Sequence, residues 1–182
     1  MSNEEYPSLL THILDGKEYG PLLRSPDLAQ HRTQWRLLLS QLLANPPNDR
    51  VLSDRFHTQW HTAHHYIRAL VDDDALLMDM LWTWLPRYEG PELLLYRGEN
   101  IDRLGLGIIG TAWTDAEETA RMFASGLNAI GQGGVILQAH VPADAIIAGP
   151  SAHSLYLGEH EYTVDTRLLC AVKQLHRFAP NL

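Results

Sequence analysis

The first candidate binding residue is an arginine that follows an apolar strand. In ELLLYRGEN, the apolar run 93–96 is followed by Arg97 and then by Gly98. A planar guanidinium at the end of a strand can bind a phosphate or a carboxylate through two parallel hydrogen bonds. Gly98 allows a sharp turn or the close approach of a ligand. The alternative is a surface or ion-pairing arginine before a turn.

A pair of carboxylates forms the second candidate. Glu159 and Glu161 are separated by one residue in GEHEYTVD. In an extended segment, alternate side chains point to the same side, so the two carboxylates are predicted to share a face and His160 to point away. One such carboxylate can stabilise a developing positive charge, and the other can orient or deprotonate an acceptor. The alternative is a solvated strand edge.

The third candidate is the segment GIIGTAWTDAEETARMFA. It predicts a short strand bearing Thr111, Trp113 and Thr114, followed by a helix capped by Asp115. Trp113 or Tyr96 can stack against an aromatic ligand. The alternatives are a Trp113 that belongs to the core and a Thr114 that only caps the helix. The residues predicted to face inward from the helix are Ala116, Ala120, Phe123, Ala124 and Leu127.

The histidines and the cysteine do not indicate a metal centre. His57, His61 and His64 fall on one predicted helix face, and two histidines four residues apart can chelate zinc. No HExxH motif accompanies them, so a solvated polar face is the preferred interpretation. Cys170 is the only cysteine, which excludes an internal disulfide and a site built from several cysteines.

The charge and the apolar runs of the chain argue against a nucleic-acid-binding protein and against a membrane-spanning one. The 182 residues carry a formal net charge of −8 and show no basic block, which argues against a nucleic-acid partner. The N-terminal segment lacks the long apolar stretch of a signal peptide, and no apolar run reaches transmembrane length. We expect a cytoplasmic protein without a membrane partner.

The first half of the chain predicts packed helices. Ser25 and Pro26 are the expected cap and first residue of one helix, and Ser53 is the expected cap of the next. A further helix begins at the acidic run 72–74 and ends before Pro86. These elements define a helical N-terminal region over residues 1–88.

The second half predicts strands separated by glycine-rich connections. Helices followed by strands indicate an α+β fold with a mostly antiparallel sheet. The strand region occupies residues 89–182, and we expect it to pack with the helices as one compact unit. The segment GQGGV is interpreted as a loop rather than a phosphate cradle, because no helix follows it and it contains no lysine.

Taken in order, LYRGE, GIIGTAWTDAEETARMFA and GEHEYTVD resemble the arginine–serine–glutamate class of mono-ADP-ribosyltransferases. The resemblance is strongest to small bacterial and phage-type members. It covers residues 92 to 170 and does not extend to the N-terminal helices. It implies a split antiparallel two-sheet core that binds NAD. The implied reaction transfers ADP-ribose to a protein side chain and releases nicotinamide.

The resemblance also implies roles for individual residues. Glu161 would contact the ribose and stabilise its developing positive charge. Glu159 would orient or deprotonate the acceptor side chain. In the family, a glutamate at this position favours arginine as the modified side chain. Arg97 would anchor the pyrophosphate or its ribose. NAD would be the substrate, no metal would be needed, and the cofactor surface would also include Tyr96, Gly98, Thr111, Trp113, Thr114 and Phe123.

One position departs from the pattern of the family. Its middle motif is Ser-Thr-Ser, which aligns here with Ala112, Trp113 and Thr114, so the first hydroxyl is missing. Thr111 or Thr114 can substitute, although Thr111 is predicted to point to the opposite face from Ala112. Two alternatives therefore stay open: a non-catalytic NAD-binding or interaction module, and an NAD glycohydrolase in which water replaces the acceptor. The target and the biological setting (toxin, phage modifier or counter-defence factor) also stay open.

Overall fold

The computed structural model describes residues 9–24 and 32–181. Contacts divide the chain into two compact units, of which the first ends at Pro86 and the second begins at Arg87. Ser25 and Pro26, the predicted start of a helix, lie outside the described residues. None of the described helices has both the length and the apolar character of a membrane span.

The described part of the first unit is helical. The Asp49 carboxylate caps its longest helix by accepting a hydrogen bond from the Leu52 amide at 2.6 Å. Ser53 lies one turn inside this helix, and its buried hydroxyl donates to the Trp84 carbonyl at 2.9 Å. The prediction of Ser53 as the cap is wrong, because an aspartate acceptor precedes it. The helices are α1 (Leu9–Leu14), α2 (Arg32–Ala44), α3 (Arg50–Val71) and α4 (Asp74–Trp84).

Buried aromatic side chains form the core of this unit. The Phe56 ring on α3 lies 5.0 Å from the Trp84 ring and 5.9 Å from the Tyr19 ring, measured between centroids. The Trp84 indole N–H donates to the Leu42 carbonyl at 2.7 Å, which ties α4 to α2. The apolar stripe of α3 is its buried face, formed by residues that recur near the helical period: Phe56, Trp60, Ala63, Ile67 and Leu70.

The second unit contains a six-stranded sheet with the strand order β4-β5-β2-β1-β3-β6. Every pair of neighbouring strands is antiparallel, and the predicted α+β class is confirmed. Its helices are α5 (Ile101–Gly105), α6 (Glu117–Ser125) and α7 (Ala152–Leu157). Its strands are β1 (Leu93–Asn100), β2 (Ala112–Thr114), β3 (Gly134–Val141), β4 (Ile146–Ala148), β5 (Glu161–Val164) and β6 (Lys173–Phe178).

The sheet is almost divided between β1 and β2. Strand β1 pairs with β3 along its whole length, whereas it meets β2 only at Tyr96 and Thr114. Pairing with β3 continues to Asn100, so the prediction that the strand ends at Arg97 is wrong. Arg97 therefore lies within a strand, at the point where that strand separates from β2.

Helix α6 covers one face of β1, and Gly98 makes this packing possible. A methyl group at Gly98 would collide with the Ala120 carbonyl oxygen and lie 2.5 Å from the Ala124 amide nitrogen. Ala120 and Ala124 are buried, as predicted. Leu127 is 78% exposed, contrary to the prediction, because α6 ends at Ser125 before reaching it.

The opposite face of the sheet carries the larger apolar core. Side chains alternate between the two faces of a strand, so Leu95 points away from α6 while Tyr96 points toward it. Tyr96 accordingly packs with the buried α6 residues. The buried members of the larger core are Leu95, Trp113, Val135, Leu137, Ala139, Val141, Ala145, Ile146 and Val164.

Gly98→Ala is expected to lower the free energy of unfolding by about 1–3 kcal/mol, because the added methyl must push α6 away from β1. Gly105→Ala is the matched control, since no atom lies within 4 Å of a methyl at that position. We expect the control to stay within about 0.5 kcal/mol of the wild type in urea denaturation. Equal stabilities for the two variants would contradict this packing role.

Candidate functional site

Side chains, rather than backbone, close the gap between β1 and β2. Beyond the Tyr96–Thr114 pair, Arg97 Nη1 donates to the Ala112 carbonyl at 2.6 Å. The Gly110 amide donates to Glu99 Oε2 at 2.8 Å, and Arg97 Nε donates to the same oxygen at 2.8 Å. The Arg97–Glu99 ion pair thus bridges from β1 to the backbone of β2 and of Gly110, two residues before β2, where ladder hydrogen bonds would otherwise lie.

Glu99 is the buried half of this ion pair, with only 1% of its side chain exposed. Its Oε1 accepts from the Asn100 amide at 2.9 Å and lies 3.4 Å from Arg103 Nε. Burial by itself raises the pKa of Glu99. The Arg97 charge and the hydrogen bonds from Asn100, Arg97 and Gly110 outweigh it and hold the pKa below its usual value. Glu99 is therefore ionised at neutral pH.

Sequence reasoning assigned no role to Glu99 or Gly110. The pattern that could have found Glu99 is its spacing from Arg97, because residues two apart on a strand share a face. A methyl group at Gly110 would overlap the Arg97 guanidinium, so a larger residue there would displace that side chain. Arg97 is an ion-pairing residue in this structure, with 13% of its side chain exposed.

One residue from each of the three predicted segments lies in a single row across the sheet. Tyr96 on β1 pairs with Thr114 on β2, and Thr114 pairs with Glu161 on β5. Directly opposed residues of antiparallel strands point to the same face. This face is the one on which α6 packs, because Tyr96 contacts the buried residues of α6. We call Tyr96, Thr114 and Glu161 the polar row.

The two predicted carboxylates converge, but not through strand alternation. Strand β5 begins at Glu161, and His160 before it has a left-handed backbone with φ of 49°. The segment is therefore not extended at His160, and the predicted geometry is wrong there. An oxygen of Glu159 nevertheless lies within 4.8 Å of an oxygen of Glu161. A turn, and not the pleat of a strand, brings the acidic pair together.

Several predicted cofactor contacts are enclosed by protein. Trp113 is 1% exposed within the larger core, and its indole N–H donates to the Gly110 carbonyl at 3.1 Å. Gly98 is covered by α6. In this structure Trp113 and Gly98 are therefore enclosed by protein, and their role on a cofactor surface stays a prediction. Thr111 is also buried, and its carbonyl accepts from the Val164 amide at 2.8 Å.

Thr114 and Asp115 act at the start of α6 in a different way from the one predicted. Thr114 is 5% exposed, and its hydroxyl accepts from the Ala116 amide at 3.2 Å, so it supports the turn into the helix. Ala116 is the N-cap residue, and it makes no side-chain capping bond. Asp115 instead accepts from the Tyr162 hydroxyl at 3.3 Å. Phe123, on the same helix, is partly buried over β1.

Asp115 connects to residues beside the acidic pair. One of its oxygens lies 3.3 Å from Nδ1 of His160. Burial and then the charge of Asp115, with smaller contributions from its hydrogen bond and from Tyr88, raise the pKa of Tyr162 to about 12. The Tyr162 phenol therefore stays protonated at neutral pH and can donate to Asp115.

The glycine-rich loop after α6 is fixed by side chains. Asp102 accepts from the Gln132 amide at 3.0 Å and from the Gln132 side chain at 2.6 Å. The Asn100 side chain donates to the Gly133 carbonyl at 3.3 Å and to the Ile130 carbonyl at 2.9 Å. The Gln132 amide is thus already bonded to a carboxylate, which favours a structural loop over a phosphate cradle.

The histidines of α3 differ from the predicted solvated face. His57 and His61 are buried at the edge of the apolar stripe, so that prediction is wrong for these two. Among the described residues, nitrogens of His57, His61 and His64 do not form a group of three within 4.8 Å. Cys170 is exposed and carries no disulfide.

Glu99→Gln is expected to lower the free energy of unfolding at pH 7 by about 3–5 kcal/mol, because Arg97 loses its buried counter-charge. The folded-state pKa of Glu99 lies below its usual value of 4.5, so its contribution is fully present above that pH. It is lost as the pH falls through the folded-state pKa. Glu118→Gln, at a side chain that is 85% exposed, is the control.

Urea denaturation of both variants and the wild type between pH 7 and pH 3 is the measurement. The stability difference between wild type and Glu99→Gln should shrink as the pH falls below 4.5. A difference that is constant with pH would contradict an ionised Glu99.

Comparison with protein-family models gave no match, and searches of curated proteins and of solved structures gave none either. The resemblance to mono-ADP-ribosyltransferases therefore depends on the three segments quoted above. In the structure those segments lie on the adjacent strands β1, β2 and β5.

Proposed function

We propose that the protein is a mono-ADP-ribosyltransferase that transfers ADP-ribose from NAD to a protein side chain and releases nicotinamide. The observation that carries the proposal is the polar row, which joins three segments distant in sequence on neighbouring strands. The single pairing between β1 and β2 also supports a core that is split into two halves, as the resemblance implies. NAD would bind where the two halves separate.

The acidic pair fits the chemistry of this transfer. When the bond between nicotinamide and ribose breaks, its electron pair leaves with nicotinamide and positive charge develops on the ribose. Glu161 in the polar row would stabilise that charge. Glu159, with an oxygen within 4.8 Å of one from Glu161, would accept a proton from the incoming nucleophile. A guanidinium acceptor suits this role because it is cationic and would be drawn to the carboxylates.

Arg97 is assigned to the pyrophosphate of NAD at the gap between β1 and β2. A guanidinium has five N–H donors, and bonds to Glu99 and the Ala112 carbonyl use two of them. These bonds fix the orientation of the guanidinium before a ligand binds, which reduces the entropy lost on binding. Arg97 and the polar row point to opposite faces of β1, so NAD would contact both only by extending from one face of the sheet to the other.

An exposed apolar surface next to the acidic pair favours a protein acceptor over water. Leu155, Tyr156 and Leu157 at the end of α7 are 54%, 86% and 50% exposed. Contiguous apolar side chains on a surface commonly mark a site of protein contact. Because Glu159 follows this surface by two residues, a docked protein would bring its side chain close to the carboxylates.

Ala112 favours a second candidate, a non-catalytic NAD-binding module. Ala112 pairs with Thr163 and shares the face of Thr114 and Glu161. A serine there would place a hydroxyl near Glu161, and alanine places none. A third candidate, the NAD glycohydrolase, differs from the transferase only in using water as the acceptor.

One assay separates the three candidates. The wild-type protein is incubated with NAD labelled in its adenylate phosphate and with a cell lysate. Labelled protein bands support the transferase, and free ADP-ribose without bands identifies the glycohydrolase. NAD binding without either product identifies the non-catalytic module and overturns the proposal.

Glu161→Gln is expected to reduce both protein labelling and NAD hydrolysis by about a hundredfold or more, because charge stabilisation at the ribose is lost. Glu159→Gln is expected to lose labelling but to keep measurable hydrolysis, because it acts on the acceptor. Glu118→Gln, on the exposed face of α6, serves as the control. Initial rates of both products are measured on the same folded variants.

Wild-type hydrolysis in Glu161→Gln would contradict the catalytic assignment. Full protein labelling in Glu159→Gln would not affect the catalytic role assigned to Glu161. It would contradict the assignment of Glu159 to the acceptor, and with it the choice of arginine as the acceptor.

A further inference from the structure

Ser154 contacts the backbone on both sides of the turn that brings the acidic pair together. This residue lies in α7 and is completely buried. Its carbonyl accepts from the Glu159 amide at 3.0 Å, and its hydroxyl accepts from the Glu161 amide at 2.6 Å. A single side chain and its own carbonyl therefore fix the two residues that flank His160.

Ser154 is itself held in place from the other end of α7. The Ser151 hydroxyl caps this helix by accepting from the Ser154 amide at 3.1 Å. Gly158 ends the helix in a left-handed conformation, with φ of 71°, and its amide donates to the Leu155 carbonyl at 3.1 Å. The chain is thereby directed back over the end of α7, toward the Ser154 hydroxyl.

The conformation of His160 shows why such a contact is needed. A residue other than glycine rarely adopts positive φ, and it keeps that conformation only where its surroundings impose it. Among the described residues, His160 and Asp72 are the two such cases. Because the left-handed residue His160 precedes β5, which begins at Glu161, strand alternation does not make the carboxylates converge. The Ser154 hydrogen bonds on either side of His160 supply the constraint.

A second, weaker contact acts on the His160 side chain. Its Nδ1 lies 3.3 Å from Asp115, and the two side chains are 47% and 40% exposed. Exposed pairs of this kind contribute little, since water screens the charges. The buried Ser154 contacts are therefore the stronger of these two restraints on the turn.

We propose that Ser154 is a positioning residue: through the left-handed turn at His160, it sets the convergence of Glu159 and Glu161. The effect of this positioning on catalysis rests on the proposed transferase function. The restraint that Ser154 places on the turn does not, and it can be measured separately.

Ser154→Ala removes the acceptor of the Glu161 amide without altering the Glu159 and Glu161 side chains themselves. We expect kcat for nicotinamide release to fall about tenfold or more, with KM for NAD changed less than about twofold. Hydrogen exchange of the Glu161 amide, followed by NMR, is expected to accelerate about tenfold or more. Ser125→Ala, at an exposed serine of α6, is the control and should match the wild type in all three measurements.

Two substitutions at His160 separate the turn from the imidazole. Glycine adopts the left-handed conformation readily, whereas valine strongly disfavours it. His160→Gly should keep kcat within about threefold of the wild type and keep slow exchange at the Glu161 amide. His160→Val should resemble Ser154→Ala in both measurements. Equal loss in the two His160 variants would overturn the proposal, because the imidazole would then be the required group.

The exchange measurement distinguishes failure of this inference from failure of the proposed function. If the wild type releases no nicotinamide, the transferase proposal fails, and amide exchange alone decides whether Ser154 fixes the turn. Slow exchange in the wild type and His160→Gly, with fast exchange in Ser154→Ala and His160→Val, supports the positioning role. Unchanged exchange or unchanged kcat in a folded Ser154→Ala variant overturns it.

Discussion

The ion pair between Arg97 and Glu99 joins two halves of a sheet that the backbone barely connects. Strands β1 and β2 share one pairing, and beyond it the two side chains bond to the Ala112 carbonyl and the Gly110 amide. A buried ion pair adds little net stability compared with apolar packing, but removing one partner is costly. The pair is therefore better understood as a determinant of geometry, because the spacing between β1 and the β2–β5 half depends on it.

The polar row depends on that spacing. Tyr96 belongs to one half of the sheet, while Thr114 and Glu161 belong to the other. If the gap opened or closed by a small amount, Glu161 would move relative to Arg97 and to Tyr96. Ser154 acts on a second, more local scale, since it fixes the turn that directs Glu159 and Glu161 toward each other. The candidate site thus requires one restraint on the sheet and another on the chain that enters β5.

The sequence was sufficient for those features that depend on periodicity. The apolar stripe of α3, the α+β class and the buried alanines of α6 all follow from spacing along the chain. Trp113 could not be placed in this way. Alternation predicts that Trp113 and Ala112 point to opposite faces of the sheet, but it does not indicate which of the two faces is the core. The spacing of Glu99 from Arg97 indicates their ion pair, but the bridge from Glu99 to the Gly110 amide was missed because that partner lies on another segment.

Local conformation was the least predictable feature. His160 carries no residue-type preference strong enough to indicate a left-handed turn, and the bonds that impose this turn come from α7. Ser53 has the chemistry of a cap, but Asp49 begins the helix one turn earlier. In both cases a contact made elsewhere decides between conformations that the residue itself permits.

An NMR titration of the wild-type protein with NAD locates the proposed binding site. Binding there is expected to shift the amide signals of Tyr96, Thr114 and Glu161 and the Arg97 Nε–H signal. The indole signal of Trp113, enclosed in the larger core, should move least. Absence of any shift at saturating NAD, or shifts confined to His140 and Cys170 in the groove on the β3 side of the sheet, would contradict the proposed site.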